Sequence, residues 1–550
     1  MKSPIAWAAL LPVVLATCSQ TCSFDSIIPS QNLTWCPCYT SFYCARLDVP
    51  LDYQNPEIGR ASIPLLKVPA QNDSLFGPYQ GMILINPGGP GASGVETALG
   101  NGTLIQSIIG TNWDIIGFDT RGIAYSKPLA NCSYGITPTG QSNLSSRTIP
   151  RVTDEFFNQW IEYGQDVGKQ CESLIGGETS AGQHMSTAVT ARDMLSVVDA
   201  FAATEDGMRA AKPKELLNYY GISYGTFLGQ TFASMFPERV GNMALDGVVS
   251  PQGYLANFTS HSVTDLDGIV AAFFIYCHEA GPSVCPYFTG STPRDIFDRF
   301  NQSFSQLDPQ RAQLENWSNA TDLEAALVVF KVGILTAVNS PITNFATFAE
   351  VLVSLEASIA AQNISTWTQA AEAIYNDPTP VGNTNIEWTL GVLCSDQNNA
   401  WYGKTLEDLR PQLAQLESQS IIGEVWSKSM LGCLGWPIKA TEIFQGPFGG
   451  DTATPLLFVS NTYDPVTPIE NSFASAPRYK NAQVLTVDGM GHGISATLNT
   501  CAYKKMAAYF QTNALPGNDS FCALESGPFG VILNGTLKEN VVIAKLQHLG

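Results

Sequence analysis

The sequence predicts an α/β fold in which helices flank a mostly parallel central sheet. Apolar runs of strand length recur along the chain, as expected for strands that are buried on both faces. Helical patterns separate several of these runs, and this alternation is typical of a parallel sheet. The 550 residues are 45% hydrophobic and 14% charged, which indicates a large buried core. The predicted strands of the sheet are 81–85, 113–118, 216–221, 243–245, 456–459 and 484–487.

The sheet is expected to begin with an antiparallel pair. Residues 45–49 and 61–66 read as extended segments, and a turn-rich stretch at 52–56 lies between them. Later in the chain, helical patterns cover 187–202, 226–236 and 501–512.

Between about residues 250 and 450 helical periodicity replaces the strand pattern, for example over 322–334 and 345–361. This block precedes the last two predicted strands. We expect it to be a lid over the carboxyl edge of the sheet, where open α/β sheets bind ligands. A separate domain with its own function is the alternative, and the preference of pockets for domain junctions favours the lid. The expected divisions are a signal peptide at 1–19, a core at 20–250, a helical lid at 251–450 and the rest of the core at 451–550.

The N-terminus has the pattern of a secretory signal. Lys2 precedes an apolar run at 5–16 and then small residues, and the run is shorter than the roughly 20 residues that cross a bilayer. Cleavage after Ser19 would remove Cys18 and leave twelve cysteines, an even number suited to disulfides, whereas cleavage after Ala16 would leave one unpaired. We therefore expect a secreted glycoprotein. Acceptor sites for N-linked glycans occur at Asn32, Asn72, Asn101, Asn131, Asn143, Asn257, Asn301, Asn316, Asn319, Asn363, Asn518 and Asn534.

The charge argues against two classes of partner. A net charge of -20 without clustered Lys or Arg disfavours nucleic acid and anionic membranes. Cys36 and Cys38 are too close in sequence for a four-ligand zinc site, so we expect no metal, and nothing in the sequence indicates a cofactor. The expected partner is a peptide or small-molecule substrate.

The segment Gly221-Ile222-Ser223-Tyr224-Gly225 joins a predicted strand to a predicted helix. A serine in this pattern is typical of a nucleophile elbow, where small flanking residues permit a strained turn and the helix N-terminus stabilises nearby negative charge. Ser223 is therefore the candidate nucleophile.

A serine nucleophile requires a base and an acid that orients the base. His492 lies in a loop after the strand at 484–487, whereas His184, His261, His278 and His548 lie in helical, helix-flanking or terminal contexts. Asp464 follows the strand at 456–459, and Asp246, which also ends a strand, is the rival acid. The order Ser223, Asp464, His492 is that of α/β hydrolases.

Backbone donors for an oxyanion are expected from two places. The glycine-rich stretch 86–94 follows the strand at 81–85 and can bring N–H groups close to a substrate. Gly89 and Tyr224 are the candidate donors. A phosphate-binding loop is disfavoured because no Gly-Lys-Ser/Thr follows and two prolines remove donors. A plain structural turn is the other alternative.

These motifs together resemble the secreted tripeptidyl-aminopeptidase and prolyl-iminopeptidase family of α/β hydrolases, with the closer match to its tripeptidyl-aminopeptidase-like branch. The resemblance rests on residues 44–53, 86–94, 117–122, 221–225, 245–248, 464–468 and 491–493, on the segment 501–522, and on lid motifs at 394–396 and 433–437.

The resemblance implies a serine exopeptidase that releases single residues, possibly of proline type, or tripeptides from free peptide N-termini. Asn86-Pro87 stands where prolyl iminopeptidases usually carry His-Gly, which weakens a strict proline preference. Glu387 and Asp396 are the candidate ligands of the substrate amine, with surface acids as the alternative. We also expect Cys394 to pair with Cys433 and Cys501 with Cys522. An esterase or lactonase for small metabolites is the second hypothesis, and a catalytically inactive hydrolase-like binding protein is the third.

Overall fold

The computed structural model describes residues 21–71, 76–133, 135, 150–256, 262–309, 312, 320–375 and 385–537. The predicted signal peptide and five of the predicted glycan sites, Asn72, Asn143, Asn257, Asn316 and Asn319, lie outside these residues, as do His261 and His548.

The centre of the fold is one mixed sheet in the order β1-β2-β3-β5-β4-β6-β7-β8-β9-β10. Pairing is antiparallel from β1 to β3 and between β3 and β5, and it is parallel from β5 across to β10. The strands are Cys36–Cys38, Phe42–Pro50, Arg60–Val68, Gly81–Asn86, Trp113–Phe118, Leu217–Ile222, Val240–Asp246, Leu457–Tyr463, Gln483–Met490 and Phe521–Cys522.

The predicted fold class is confirmed. Every residue of β4, β5 and β7 is buried, as expected for central parallel strands that have helices on both faces. The antiparallel pair predicted at the start of the sheet is β2 with β3.

Most of the helices belong either to the layers on the sheet or to the segment between β7 and β8. Helices α1 to α8 are Gly94–Ile109, Asp154–Ile175, Thr187–Ala202, Glu205–Arg209, Tyr224–Met235, Pro251–Leu255, Leu266–Ala280 and Pro293–Ser305. Helices α9 to α17 are Ala320–Asn339, Pro341–Ala360, Ile364–Tyr375, Ile386–Asp396, Leu406–Gln419, Gly423–Trp426, Lys428–Gly432, Glu470–Ser475 and Thr500–Thr512.

The described residues between β7 and β8 fold as helices α6 to α15, which we call the helical segment. It has its own apolar core, in which the ring of Phe273 lies 5.2 Å from the rings of both Phe345 and Phe348. By length and composition α10 is the one described helix that could cross a membrane. Its Phe345 and Phe348 are part of this core instead.

Six disulfides pair all twelve cysteines of the described residues. The pairs Cys394–Cys433 and Cys501–Cys522 are those predicted. The other four are Cys22–Cys36, Cys38–Cys44, Cys132–Cys171 and Cys277–Cys285. A set of this size is typical of proteins from oxidising compartments.

Candidate active site

Ser223 lies at a sharp turn between β6 and α5. Its backbone has φ 57° and ψ -125°, a conformation that costs a non-glycine residue of the order of 1–3 kcal/mol. The two flanking glycines permit this turn. A Cβ on Gly221 would lie 2.5 Å from the carbonyl oxygen of Gly225, and a Cβ on Gly225 would lie 2.5 Å from the carbonyl oxygen of Asn86. The elbow therefore needs glycine at both positions.

A cavity of about 240 Å³ opens beside Ser223. The sheet side contributes the elbow and loops at strand ends, and the helical segment contributes most of the apolar wall. The described lining residues are Gly89, Pro90, Ser223, Tyr224, Val249, Leu335, Thr389, Leu393, Leu416, Val425, Trp426, Ser427, Lys428, Met430, Val466 and Thr467.

The predicted oxyanion donors, Gly89 and Tyr224, both line this cavity with Ser223. Neither backbone N–H donates to an acceptor in the described part of the chain. The side chain of Asn86 accepts a hydrogen bond from the N–H of Gly88 (3.0 Å) and so shapes the loop. Gly88 lies directly against the elbow, because a Cβ there would be 2.9 Å from the nitrogen of Tyr224. The described part of the chain therefore leaves both N–H groups available beside the serine.

His492 and Asp464 meet at the carboxyl ends of β9 and β8. Nδ1 of His492 lies 3.1 and 3.2 Å from the two carboxylate oxygens of Asp464. Asp464 is fully buried and also accepts hydrogen bonds from the N–H groups of Val466, Thr467 and Gly493. These donors fix the carboxylate, and the carboxylate fixes the ring.

The rival acid, Asp246, is buried nearby, but no described hydrogen bond joins it to the ring. Its carboxylate accepts hydrogen bonds from the hydroxyl of Tyr220 (2.8 Å) and from the N–H of Ile494 (3.0 Å). Burial raises the pKa of Asp246 to about 6, and the neighbouring Asp464 charge acts in the same direction. The geometry favours Asp464 as the partner of His492.

The contact between His492 and Asp464 favours the charged form of both side chains, so it raises the pKa of His492 and lowers that of Asp464. Burial opposes the charge on His492, but the charge of Asp464, its hydrogen bond and the charge of Asp246 outweigh burial and raise the pKa of His492. Burial also opposes the charge on Asp464, yet His492 and the backbone donors hold its pKa below the ordinary value. The pKa of His492 therefore lies above that of an ordinary histidine.

Ser223 lines the cavity, whereas His492 is connected to the lining through Thr467. Ser223 lines it directly, and Thr467, another lining residue, has its hydroxyl 3.2 Å from Nδ1 of His492. Among the described contacts no hydrogen bond joins the Ser223 hydroxyl to the ring, a bond that in many free enzymes is long and tightens only with substrate. The other described histidines lie elsewhere: His184 contacts Thr441 and the Glu178 carbonyl, and His278 stacks on Phe288.

Glu387 and Asp396, the predicted ligands of a substrate amine, are not among the described lining residues. Glu387 is buried and accepts hydrogen bonds from the N–H of Cys132 and the hydroxyl of Ser133. Asp396 accepts from the N–H and hydroxyl of Thr187 and from Tyr254. Because protein donors already occupy both carboxylates, the geometry gives the predicted role no support.

Asp396 instead belongs to a buried network behind the elbow. The hydroxyl of Thr187 bridges Asp396 (2.6 Å) and the hydroxyl of Tyr224 (2.5 Å), so the network reaches a candidate oxyanion residue. Burial raises the pKa of Asp396 to about 7. This carboxyl positions Tyr224 through Thr187.

Three residues that shape the site were not predicted from the sequence. Thr467 contacts the ring of His492. Thr389 of α12 donates to the carbonyl of Pro90 (3.0 Å), which ties the helical segment to the oxyanion loop. Lys428 begins α15 and lines the cavity. Thr467 lies within the 464–468 motif and could have been proposed from it, whereas the other two lie in no motif that marks a site.

Comparisons with known proteins agree with this geometry. A family model described as the alpha/beta hydrolase fold matches residues 81–273, and one described as TAP-like protein matches residues 418–522. The chain therefore has an α/β-hydrolase core, and its C-terminal part is similar to TAP-like proteins. The resemblance found in the sequence is therefore confirmed.

Curated relatives match the chain over most of its length. It is 26% identical over 541 residues to serine protease Hip1 of Mycobacterium tuberculosis, covering 94% of this chain and 97% of the relative. It is 24% identical over 518 residues to tripeptidyl aminopeptidase of Streptomyces lividans, covering 88% and 84%. Carboxylesterase B of Mycobacterium tuberculosis is 26% identical over 495 residues, covering 87% and 86%. These relatives confirm the predicted serine hydrolase.

Proposed function

We propose that the protein is a secreted serine exopeptidase that releases residues from free peptide N-termini through an acyl-enzyme. One observation carries the proposal: the strained Ser223 faces a cavity that it shares with two backbone N–H groups, which have no acceptor among the described residues, at the edge of the sheet where His492 pairs with Asp464.

In the proposed cycle Oγ of Ser223 attacks the substrate carbonyl, and His492 accepts the serine proton. Asp464 holds the ring in the required tautomer and stabilises the imidazolium. The N–H groups of Gly89 and Tyr224 donate to the oxyanion, an interaction whose loss typically costs about 3 kcal/mol or more of transition-state stabilisation. His492 then protonates the leaving amine, and water hydrolyses the acyl-enzyme by the reverse sequence.

Three observations support a secreted peptidase. The relatives named serine protease and tripeptidyl aminopeptidase match nearly the whole chain. Six disulfides join the described cysteines. The asparagines of the seven described glycan acceptor sites, Asn32, Asn101, Asn131, Asn301, Asn363, Asn518 and Asn534, are all exposed.

An esterase is the second candidate, and a specific observation favours it. No Asp or Glu occurs among the described lining residues, so this part of the cavity offers no carboxylate to a peptide ammonium. The relative named carboxylesterase B matches the chain over a similar length. The same triad cleaves esters and amides.

Fluorophosphonate labelling combined with substrate kinetics tests both candidates. Wild type is expected to be labelled, Ser223→Ala to remain unlabelled, and Ser427→Ala, at the other serine of the described lining, to keep the label. Tripeptidyl p-nitroanilides with free and with acetylated N-termini are then compared with p-nitrophenyl esters. Faster turnover of the free tripeptidyl amides supports the exopeptidase, and turnover of esters alone supports the esterase. An unlabelled wild type would refute both.

A further inference from the structure

Lys428 is the one charged side chain among the described residues that line the cavity. The rest of that lining consists of apolar side chains, glycine, hydroxyl-bearing residues and the ring of Trp426. A cation in such surroundings loses hydration, and a buried charge is normally paired. The group that pairs with the Lys428 ammonium therefore indicates what this side chain does.

The described part of the chain offers Lys428 no anion. Nζ lies 5.1 Å from the centre of the Trp160 ring, and no described carboxylate pairs with it. The nearest acid in sequence, Glu424, is buried and paired with Lys331. Burial lowers the pKa of Lys428 to about 8, so near neutrality the side chain is still largely a cation.

We propose that Lys428 binds a carboxylate of the substrate, so that the cavity selects acidic substrates. The inference rests on the proposed function, because it places the carboxylate on a molecule whose carbonyl group is attacked by Ser223. A charge-assisted hydrogen bond in a partly dehydrated cavity, reinforced by ion pairing, is expected to favour the acidic substrate roughly 10- to 100-fold. The same cation repels an ammonium, so a free N-terminus would lie away from Lys428.

The carboxylate could come from two parts of a substrate. It could be the side chain of an acidic residue on the acyl side, or the terminal carboxylate of a short leaving fragment. Two matched pairs separate these sources: tripeptidyl p-nitroanilides with Glu or Gln in the acyl part, and short peptides that end in a free acid or an amide. Within each pair the two substrates differ by one charge and almost nothing in size.

The first measurement uses the wild-type protein alone. The ratio of kcat/KM for the acidic substrate to that for its neutral partner is expected to be at least tenfold in one of the two pairs. A ratio near one in both pairs, with turnover present, overturns the proposal.

The second measurement assigns any preference to Lys428. Lys428→Gln is expected to bring the acid-to-neutral ratio close to one. The matched control is Lys404→Gln, because Lys404 lies 4.4 Å from the ring centre of Trp401, is exposed and is not a described lining residue. The control should keep the wild-type ratio. A preference that survives in Lys428→Gln overturns the proposal.

Folding and chemistry are checked separately. Each variant is examined for its thermal transition and for fluorophosphonate labelling, and Lys428→Met carries the comparison if Lys428→Gln fails to fold. If no wild-type substrate is turned over and Ser223 is not labelled, the proposed function fails. If labelling and turnover are normal but the acidic and neutral substrates have the same kcat/KM, this inference alone fails.

Discussion

Replacing Asp464 by Asn tests the site most directly, with Asp246→Asn as its matched control. Both carboxylates are buried near His492, but those of Asp464 alone contact Nδ1, at 3.1 and 3.2 Å. An amide in that place favours the wrong tautomer and removes the charge that stabilises the imidazolium. In a Ser-His-Asp triad this change costs roughly 10⁴-fold in kcat. That factor corresponds to about 5 kcal/mol of transition-state stabilisation.

Asp246→Asn should behave differently. It removes a negative charge that raises the pKa of His492 but leaves the contact with Asp464 in place. We expect the acid limb of the kcat/KM profile to move to lower pH, with kcat at its plateau within about tenfold of wild type. The assay is kcat and kcat/KM against pH on one amide or ester substrate, with the thermal transition as a check on folding. If kcat of Asp464→Asn stays within tenfold of the wild-type value, or if Asp246→Asn loses more of its kcat than Asp464→Asn does, the assigned acid is wrong.

Three further predictions follow from the same contacts. Because the pKa of His492 is raised and the base must be neutral, the acid limb of wild-type kcat/KM should lie above pH 6.5, and a midpoint below 6.5 in a pH–rate series would contradict this. Replacing Cys394 and Cys433 by Ser opens a link across 39 residues and should lower the free energy of unfolding by about 4 kcal/mol in denaturant titrations. The same replacement should also lower kcat. Replacing Cys501 and Cys522 by Ser is the control, because both lie outside the described lining, and it should leave kcat unchanged. Equal losses of kcat in the two variants would contradict this prediction. Finally, buried carboxyls with raised pKa values bind protons more tightly in the folded state, so their contribution to stability falls as pH rises from about 4 to 7. The melting temperature should thus be higher at pH 5 than at pH 8, and the reverse order would refute this prediction. The carboxyls concerned are those of Asp119, Asp246, Asp267 and Asp396.

The sheet could be predicted from the sequence because its signal is local. The strand predicted at 113–118 has the same bounds as β5, and the helix predicted at 187–202 has the same bounds as α3. Central strands are mostly apolar, so a run such as β5 can be recognised without knowledge of its neighbours. The run at 243–245 marked the most apolar part of β7, which extends over Val240–Asp246 because sheet pairing continues through its polar residues.

The elbow could also be predicted, because steric demands leave a mark in sequence. Gly221 and Gly225 are required by backbone atoms within 2.5 Å of where their Cβ atoms would lie. The choice between Asp464 and Asp246 is less secure from sequence, because both follow neighbouring strands and either gives the order nucleophile, acid, histidine; the hydrogen bonds to His492 decide it.

The cavity wall could not be predicted in the same way. Helical periodicity places Asp396 on a helix, but it does not show that Thr187 and Tyr254, more than 140 positions away, already satisfy its carboxylate. Lys428 lies in a stretch with no motif, and its place in the wall depends on how α2 packs against α15. Such contacts are set by tertiary packing, which a single sequence does not encode locally.

The loop that carries His492 is fastened to the helical segment as well as to the sheet. The N–H of His492 donates to the carbonyl of Asn339 at the end of α9 (2.8 Å), while Asn461 in β8 donates to the carbonyls of Gly491 and Gly493. A chimera that took the whole helical segment from a relative would therefore replace a hydrogen-bond partner of the His492 loop together with the apolar wall of the cavity. Efforts to evolve new selectivity are better directed at single wall positions than at swapping that module.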